Sequence, residues 1–364
     1  MSRFLTRLLG AATIALAASA SAQPVGMIEG AYKAQVTARL KAPLSKTDLF
    51  DDTAARVVLC GTSAPFPDRA RAKSCTAVIV KGRVFLVDAG PGSVNTLMWM
   101  GFPLEKIEGV FITHYHSDHI GDLGELRMMS WAAGRAAPLA VHGPEGVASV
   151  VDGFNMAYRL DDGYRTAHHG AATMPPAAAP LSSKPFALGA NGDVVVYKDA
   201  DVTITAFKVN HEPISPAVGY RFDMGGRSVV VTGDTTPTPK VVEMSKNADV
   251  LVTEAMSMRM MRDLKAAATD AGSTRQAKIF GDVTTYHTDV VDAAKEANDA
   301  GVKLLVFSHL APAIPQPVLE KLFFEGVSAV RDPKAWVVGF DGLRIDLPYA
   351  GGEAKVDKIT GPGK

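Results

Sequence analysis

The residue types best able to do chemistry cluster at His114-Tyr115-His116-Ser117-Asp118-His119. The apolar run Val110-Phe111-Ile112-Thr113 directly precedes them and reads as a buried strand. Side chains two apart on an extended end project to the same side, so His114 and His116 converge on one cation. The chain then turns into a helix entrance, where Asp118 and His119 face a second cation. Imidazole and carboxylate donors suit zinc, and also iron or manganese, because nothing in the set selects by softness. Gly121 allows close approach at the helix start. A lone His-x-His is a weak signal, whereas H-x-H-x-D-H after an apolar strand is a strong one.

Three further donors stand at the ends of apolar runs. His211 follows the strand Thr203 to Asn210, Asp234 follows Val229-Val230-Val231-Thr232-Gly233, and His309 closes Leu304 to Ser308. Carboxyl ends of strands commonly carry sites. Singly, each could be a capping aspartate or a satisfied core histidine. Together with the motif they repeat one arrangement three times, and coincidence is the poorer account. His287, in Thr284-Thr285-Tyr286-His287-Thr288-Asp289, lies at another helix entrance with Thr288 as an N-cap candidate. Its imidazole could serve a leaving group or a developing oxyanion, or only pack locally. His142, His168 and His169 are left to the surface or a pocket wall.

The elements that must position these groups follow from apolar patterning. Strands are expected at Val57 to Cys60, Thr76 to Val80, Val84 to Asp88, Val110 to Thr113, Val202 to Asn210, Ala217 to Phe222, Ser228 to Thr232, Val250 to Thr253 and Leu304 to Ser308. Helices are expected near Ser93 to Met100, His119 to Met129, Pro144 to Tyr158, Thr238 to Asn247 and Thr288 to Ala300. Strands then helices occur twice over. Two such halves pack as a four-layer αββα sandwich, an α/β (α+β) fold. The main domain is placed at 56–348, after a helical lead-in and linker at 23–55. An insertion at about 159–198 holds the Pro- and Ala-rich surface loop Ala171 to Pro180, and a mobile Gly- and Lys-rich tail occupies 349–364.

Residues 1–22 read as a signal peptide: Arg3 and Arg7, an apolar stretch from Leu8 to Ala18, and Ala20-Ser21-Ala22 before Gln23. An uncleaved N-terminal anchor is the alternative. Export places the mature chain in the periplasm or outside the cell, with no transmembrane helix. The 364 residues carry 38 basic and 38 acidic side chains. Loss of Arg3 and Arg7 leaves 36 bases against 38 acids, a mature charge of −2. A protein that grips phosphates for affinity shows a basic surplus, so a large nucleic-acid partner is disfavoured and a small-molecule ester preferred. The two cysteines, Cys60 and Cys75, lack zinc-finger spacing, and sequence leaves open whether they pair or stay as buried thiols.

With these residues in place, the chain resembles the metallo-β-lactamase superfamily, and within it the branch of ribonuclease Z and its arylsulfatase-like relatives. Leu59-Cys60-Gly61-Thr62 with Pro65, Pro67 and Arg71 resembles that branch's opening motif, although Ser63 and Ala64 stand where it has glycine after the threonine. Leu86-Val87-Asp88-Ala89-Gly90-Pro91-Gly92 is similar to its glycine turn with a supporting aspartate. Thr113 to Gly121, with Gly124 and Leu126, matches the metal motif. Val231-Thr232-Gly233-Asp234-Thr235 and Thr285 to His309 match the later motifs.

The resemblance implies two divalent metal ions, by expectation zinc, with manganese or iron as alternatives. It assigns His114, His116 and His211 to one metal and Asp118, His119 and His309 to the other, bridged by Asp234 and supported by Asp88. His287 then matches a catalytic histidine, Asp118 orients the nucleophile while ligating, and a homodimer is implied. Two such cations lower the pKa of a shared water toward ~7 and so furnish hydroxide at neutral pH. The expected substrate is a small phosphodiester or sulfate ester. The insertion does not read as the tRNA-gripping arm of the endonucleases. Alternatives are β-lactamase- or lactonase-type cleavage of a cyclic amide or ester, and a non-catalytic metal-binding scaffold. Asp234 speaks against a true zinc β-lactamase.

Overall fold

In the strand Ala54–Gly61 (β1), Val57 and Leu59 face one way and Val58 and Cys60 the other, and all four are buried. A strand buried on both faces must lie between two apolar layers, and that requirement sets the architecture. The computed structural model describes residues 25–41 and 47–359. Contacts divide the chain at Lys46 into two units. Of the first, the helix Val25–Lys41 is described, and residues 25–38 are exposed except Val36, which is half-buried. The expected signal peptide at 1–22 lies outside the described residues.

The second unit contains two mixed sheets. The first is built from β1, Cys75–Val80 (β2), Arg83–Val87 (β3), Ile107–Phe111 (β4), Leu139–Gly143 (β5) and Leu181–Pro185 (β6). The second comprises Asp193–Lys198 (β7), Thr203–Lys208 (β8), Val218–Met224 (β9), Arg227–Val231 (β10), Val250–Met256 (β11), Leu304–Ala311 (β12) and Trp336–Val338 (β13). Leu343–Pro348 (β14) and Lys355–Lys358 (β15) return to the first sheet, whose order is β15-β14-β1-β2-β3-β4-β5-β6; the second runs β13-β12-β11-β10-β9-β8-β7. Between the sheets Leu59, Phe85 and Phe111 meet Ile204, Tyr220, Phe222 and Val306. Outside them, helices Ser93–Met100 and Leu123–Ala132 cover the first sheet through Val94, Leu97 and Leu126. Helix Val290–Asp299 covers the second through Ala293, Ala294 and Ala297. The four-layer αββα sandwich is therefore as expected.

Each sheet passes from antiparallel to parallel pairing along its order. β3-β4-β5 and β10-β11-β12 are parallel, so their carboxyl ends share one edge. That edge carries the site. Several expected boundaries require correction. The compact unit begins at Thr47 rather than 56, because Leu49 is buried in the outer core. The tail is ordered to residue 359: β15 pairs with β14, and Ile359 packs into the core. The stretch 159–198 is no loose insertion either. Helix Val147–His169 runs well past Tyr158, Trp131 packs with Met174, Ala178 and Ala179, and β6 and β7 edge the two sheets. A helical hairpin, Met258–Asp270 and Thr274–Asp282, was not anticipated at all. No described helix is long and apolar enough to cross a membrane.

Candidate metal centre

β3 is followed directly by Asp88, which adopts φ 62°, a costly conformation for a residue with a side chain. Its carboxylate repays that cost by organising the first half of the site. It accepts the Thr113 N–H at 2.9 Å, the Thr113 hydroxyl at 2.9 Å and His119 Nδ1–H at 2.7 Å. The last bond fixes the His119 ring so that Nε2 faces outward from the core, the usual function of a carboxylate behind a ligating histidine. Gly90 must be glycine here, since a Cβ would stand 2.0 Å from the Asp118 carbonyl.

Past β4, His114 and His116 leave the extended chain on one side, with His114 Nε2 3.0 Å from His116 Nδ1. The helix Ser117–Ile120 then presents Asp118 and His119. Asp234 follows β10 through Gly233, whose φ of 63° and closeness to the Thr113 side chain exclude a larger residue. His309 is the extra residue of a bulge in β12: Glu254 pairs with Ser308 and Ala255 with Leu310, and His309 between them takes φ 46°. Bulges re-aim side chains, and this one turns His309 toward Asp118, with Nε2 3.1 Å from Oδ2. The opening motif holds that bulge in place, as Leu310 N–H donates to Thr62 O and Ser63 bridges to Leu310. His211 comes in after β8, its Nδ1–H donating to Tyr286 O at 2.8 Å.

The seven expected ligands meet at one point. Asp234 Oδ2 lies 3.8 Å from His114 Nε2, 3.4 Å from His119 Nε2 and 3.8 Å from His211 Nε2, and its Oδ1 lies 3.4 Å from His309 Nε2. His114, His116, His211 and Asp234 form one group of converging donors, and Asp118, His119 and His309 a second. Donor separations of 3.0–3.8 Å are of the size that ligand atoms would have around one cation at about 2.0–2.1 Å. The buried atoms with no hydrogen-bond partner among the described residues include His211 Nε2 and Asp234 Oδ1. Orphaned buried acceptors are costly, and a cation satisfies both. The residues present therefore fit a divalent metal site.

Charge is distributed unevenly through the cluster. Burial opposes a proton on His119, but Asp234, Asp88 and Asp118 hold its pKa well above the usual histidine value. Burial works against ionised Asp118, yet His119 and His309 bring it down to about 2. Burial lowers His211 to about 4. His287 stands at the rim, 4.0 Å from Asp234 Oδ2, with Nδ1 2.7 Å from Glu254 Oε2. Burial disfavours its charge, but Glu254 outweighs that and raises its pKa. Glu254 also accepts the Thr235 N–H. The sequence reading overlooked Glu254, although it extends the apolar run Val250 to Thr253 just as Asp234 extends its own. His142 stacks on Phe111 at 4.5 Å away from this cluster, and His168 and His169 end an exposed helix face.

Comparisons with known proteins agree with this geometry. Residues 83–310 match the family described as the beta-lactamase superfamily domain. Ribonuclease Z of Mycolicibacterium gilvum (strain PYR-GCK) is 33% identical over 302 residues, spanning 80% of this chain and 96% of the relative. Ribonuclease Z of Mycobacterium marinum (strain ATCC BAA-535 / M) is 35% identical over 261 residues, 71% of this chain and 87% of its own. Among solved structures, the short form of human tRNase Z aligns with a TM-score of 0.56 at 20% identity, over 80% of this chain and 99% of that one. The metallo-beta-lactamase fold protein YhfI from Bacillus subtilis aligns with a TM-score of 0.55 at 20% identity, over 81% and 99%. These structural likenesses show the fold, and the sequence likenesses show the family. The chain belongs to the metallo-β-lactamase superfamily of metal-dependent hydrolases, in its ribonuclease Z branch.

Proposed function

We propose that this hydrolase cleaves phosphodiesters with a pair of divalent cations, by preference zinc. His114, His116 and His211 would hold one, Asp118, His119 and His309 the other, with Asp234 between them. The observation that carries this reading is the convergence of the seven donors in two adjoining groups, with Asp234 in contact with both and the Glu254–His287 pair beside it. When bound, the cations supply an acidified water and polarise the ester oxygen. The chain's own groups do the remainder. Asp118 orients the attacking water and takes up its proton, and Asp88 keeps His119 in the ligating orientation. His287, charged under the influence of Glu254, gives a proton to the departing oxygen.

A small diester, or by extension a sulfate ester, suits the balance of 38 basic and 38 acidic residues better than a long polyanion. The relatives carry the name ribonuclease Z, so RNA belongs in the same test. The zinc-loaded mature protein should contain about two metal equivalents and hydrolyse bis-(p-nitrophenyl) phosphate faster than p-nitrophenyl sulfate, nitrocefin or a short RNA. Chelation should abolish turnover. Full activity in metal-free protein, or no diester cleavage by loaded protein, overturns the reading.

A further inference from the structure

Tyr286 lies between the 3-10 turn Val283–Thr285 and His287, and it is held from three directions. Its carbonyl accepts from His211 Nδ1 at 2.8 Å. Its ring stands edge-on to the His211 ring, 5.0 Å between centroids, and lies 4.8 Å from the His287 ring. The residue is half-buried, whereas His211 and His287 beside it are buried. Its phenol sits in the field of Asp234 and Asp118, the two carboxylates of the cluster. The phenolic hydroxyl has no hydrogen-bond partner among the described residues and is not one of the buried polar atoms left without one, so it is accessible to a ligand beside the cluster.

Several other donors on neighbouring loops are already committed. Lys73 Nζ donates to Ser63 Oγ at 3.1 Å, to the Ala64 carbonyl at 2.7 Å and to the Phe66 carbonyl. Arg71 Nη1 donates to Thr62 Oγ1 and to the Gly339 carbonyl. The Thr284 and Thr285 hydroxyls donate to the carbonyls of Gly281 and Asp282 within their own turn. A tetrahedral ester entering the cluster presents several anionic oxygens, not all of which bound cations would contact. A neutral phenol, protonated at pH 7 and packed beside both His211 and His287, is suited to one of them.

Resting on the phosphodiesterase reading above, we propose that Tyr286 is a substrate-contacting residue, its Oη–H donating to a non-bridging oxygen of the group being cleaved. No covalent step is involved. The hydroxyl binds the tetrahedral oxygen in the ground state and more tightly as charge grows there.

The test is Tyr286→Phe in the zinc-loaded mature protein, a change that keeps the ring and the carbonyl that receives His211. A hydrogen bond to a charged partner is worth about tenfold or more. The variant should retain the wild-type metal content while kcat/KM for bis-(p-nitrophenyl) phosphate falls by at least about that factor. Calorimetric affinity for phenylphosphonate, a non-hydrolysable anion, should weaken comparably. Wild-type kcat/KM and affinity in the variant overturn the proposal. So does a loss of turnover with phenylphosphonate affinity unchanged, or a lost metal equivalent, since either would make Tyr286 a support for its neighbours. Should the wild-type protein cleave no diester, the broader reading fails, and the phenylphosphonate titration still decides the role of Tyr286.

Discussion

At the scale of single residues the proposed site divides into groups placed to ligate and groups placed to set protons. Glu254 belongs to the second kind. It reaches His287 Nδ1 at 2.7 Å, and its other oxygen takes the Thr235 N–H beside Asp234. Glu254→Gln keeps an acceptor for Thr235 but then puts an amide N–H opposite His287, removing the charge that favours the imidazolium. Turnover on a diester should fall by about 10²-fold, within the range for loss of general acid catalysis, with metal content unchanged. An activated leaving group such as p-nitrophenolate, needing less protonation, should lose less than a methyl ester. Equal turnover in variant and wild type on both esters would remove His287 from the chemistry. The ligands were legible in sequence because they either sit within six consecutive residues or end obvious apolar runs. Glu254 was not, since its partner lies 33 positions on (|i−j| 33) and a helical hairpin separates the two. Tyr286 was illegible for a different reason: only the folded loop shows that its hydroxyl is uncommitted.

Strands were most legible where both faces were buried; the edge strands β7 and β15 were missed, and so were the interior strands β5 and β14, whose burial alternates. β1, β2, β3 and β4 show dense runs of Val, Leu and Phe because both their faces are covered. β7 and β15 are edge strands with mixed, partly exposed patterns, and composition alone made them loop and tail. The bulge at His309 was likewise invisible, because it depends on the register between β11 and β12. One inter-element contact has a consequence for pH. Glu296, on helix Val290–Asp299, accepts the N–H of Thr238, which caps helix Pro239–Met244. Burial, with Asp292, Asp299 and Glu254 nearby, raises its pKa from 4.5 to about 7. The folded state thus binds its proton more tightly than the unfolded chain. The stability this contributes is complete below pH 4.5 and is lost as pH rises through about 7. Glu296→Gln keeps the acceptor and removes the titration, so the decline in melting temperature between pH 5 and 8 should be shallower by a few degrees. Parallel melting curves of variant and wild type across that range would show that Glu296 is not coupled to folding.

For the whole molecule, the least settled feature of the sequence was the state of its two cysteines. Cys60 and Cys75 form a disulfide with Cα atoms 5.0 Å apart. The register explains why alternation alone could not show this: β1 and β2 slip between Leu59 and Gly61, and the irregularity brings Cys60 beside Cys75. Both sulfurs are buried, and the bridge closes the loop that carries Thr62, Ser63 and Lys73. Through Leu310 and Asp88 that same loop supports both halves of the metal cluster. Such bridges persist where the environment is oxidising. Export guided by residues 1–22 would provide that environment, and a chain kept in a reducing cytoplasm would have to fold without the staple. A disulfide spanning 15 residues contributes about 3 kcal/mol through the unfolded chain. Protein recovered from the periplasm should begin at Gln23 and weigh two hydrogens less than its reduced mass. Cys60→Ala with Cys75→Ala should melt several degrees lower at the same metal content. A chain that retains Met1, stays in the cytoplasm and reacts with thiol reagents after denaturation would refute both export and the staple. Cleavage at Gln23 with free thiols would leave export standing and remove the bridge alone.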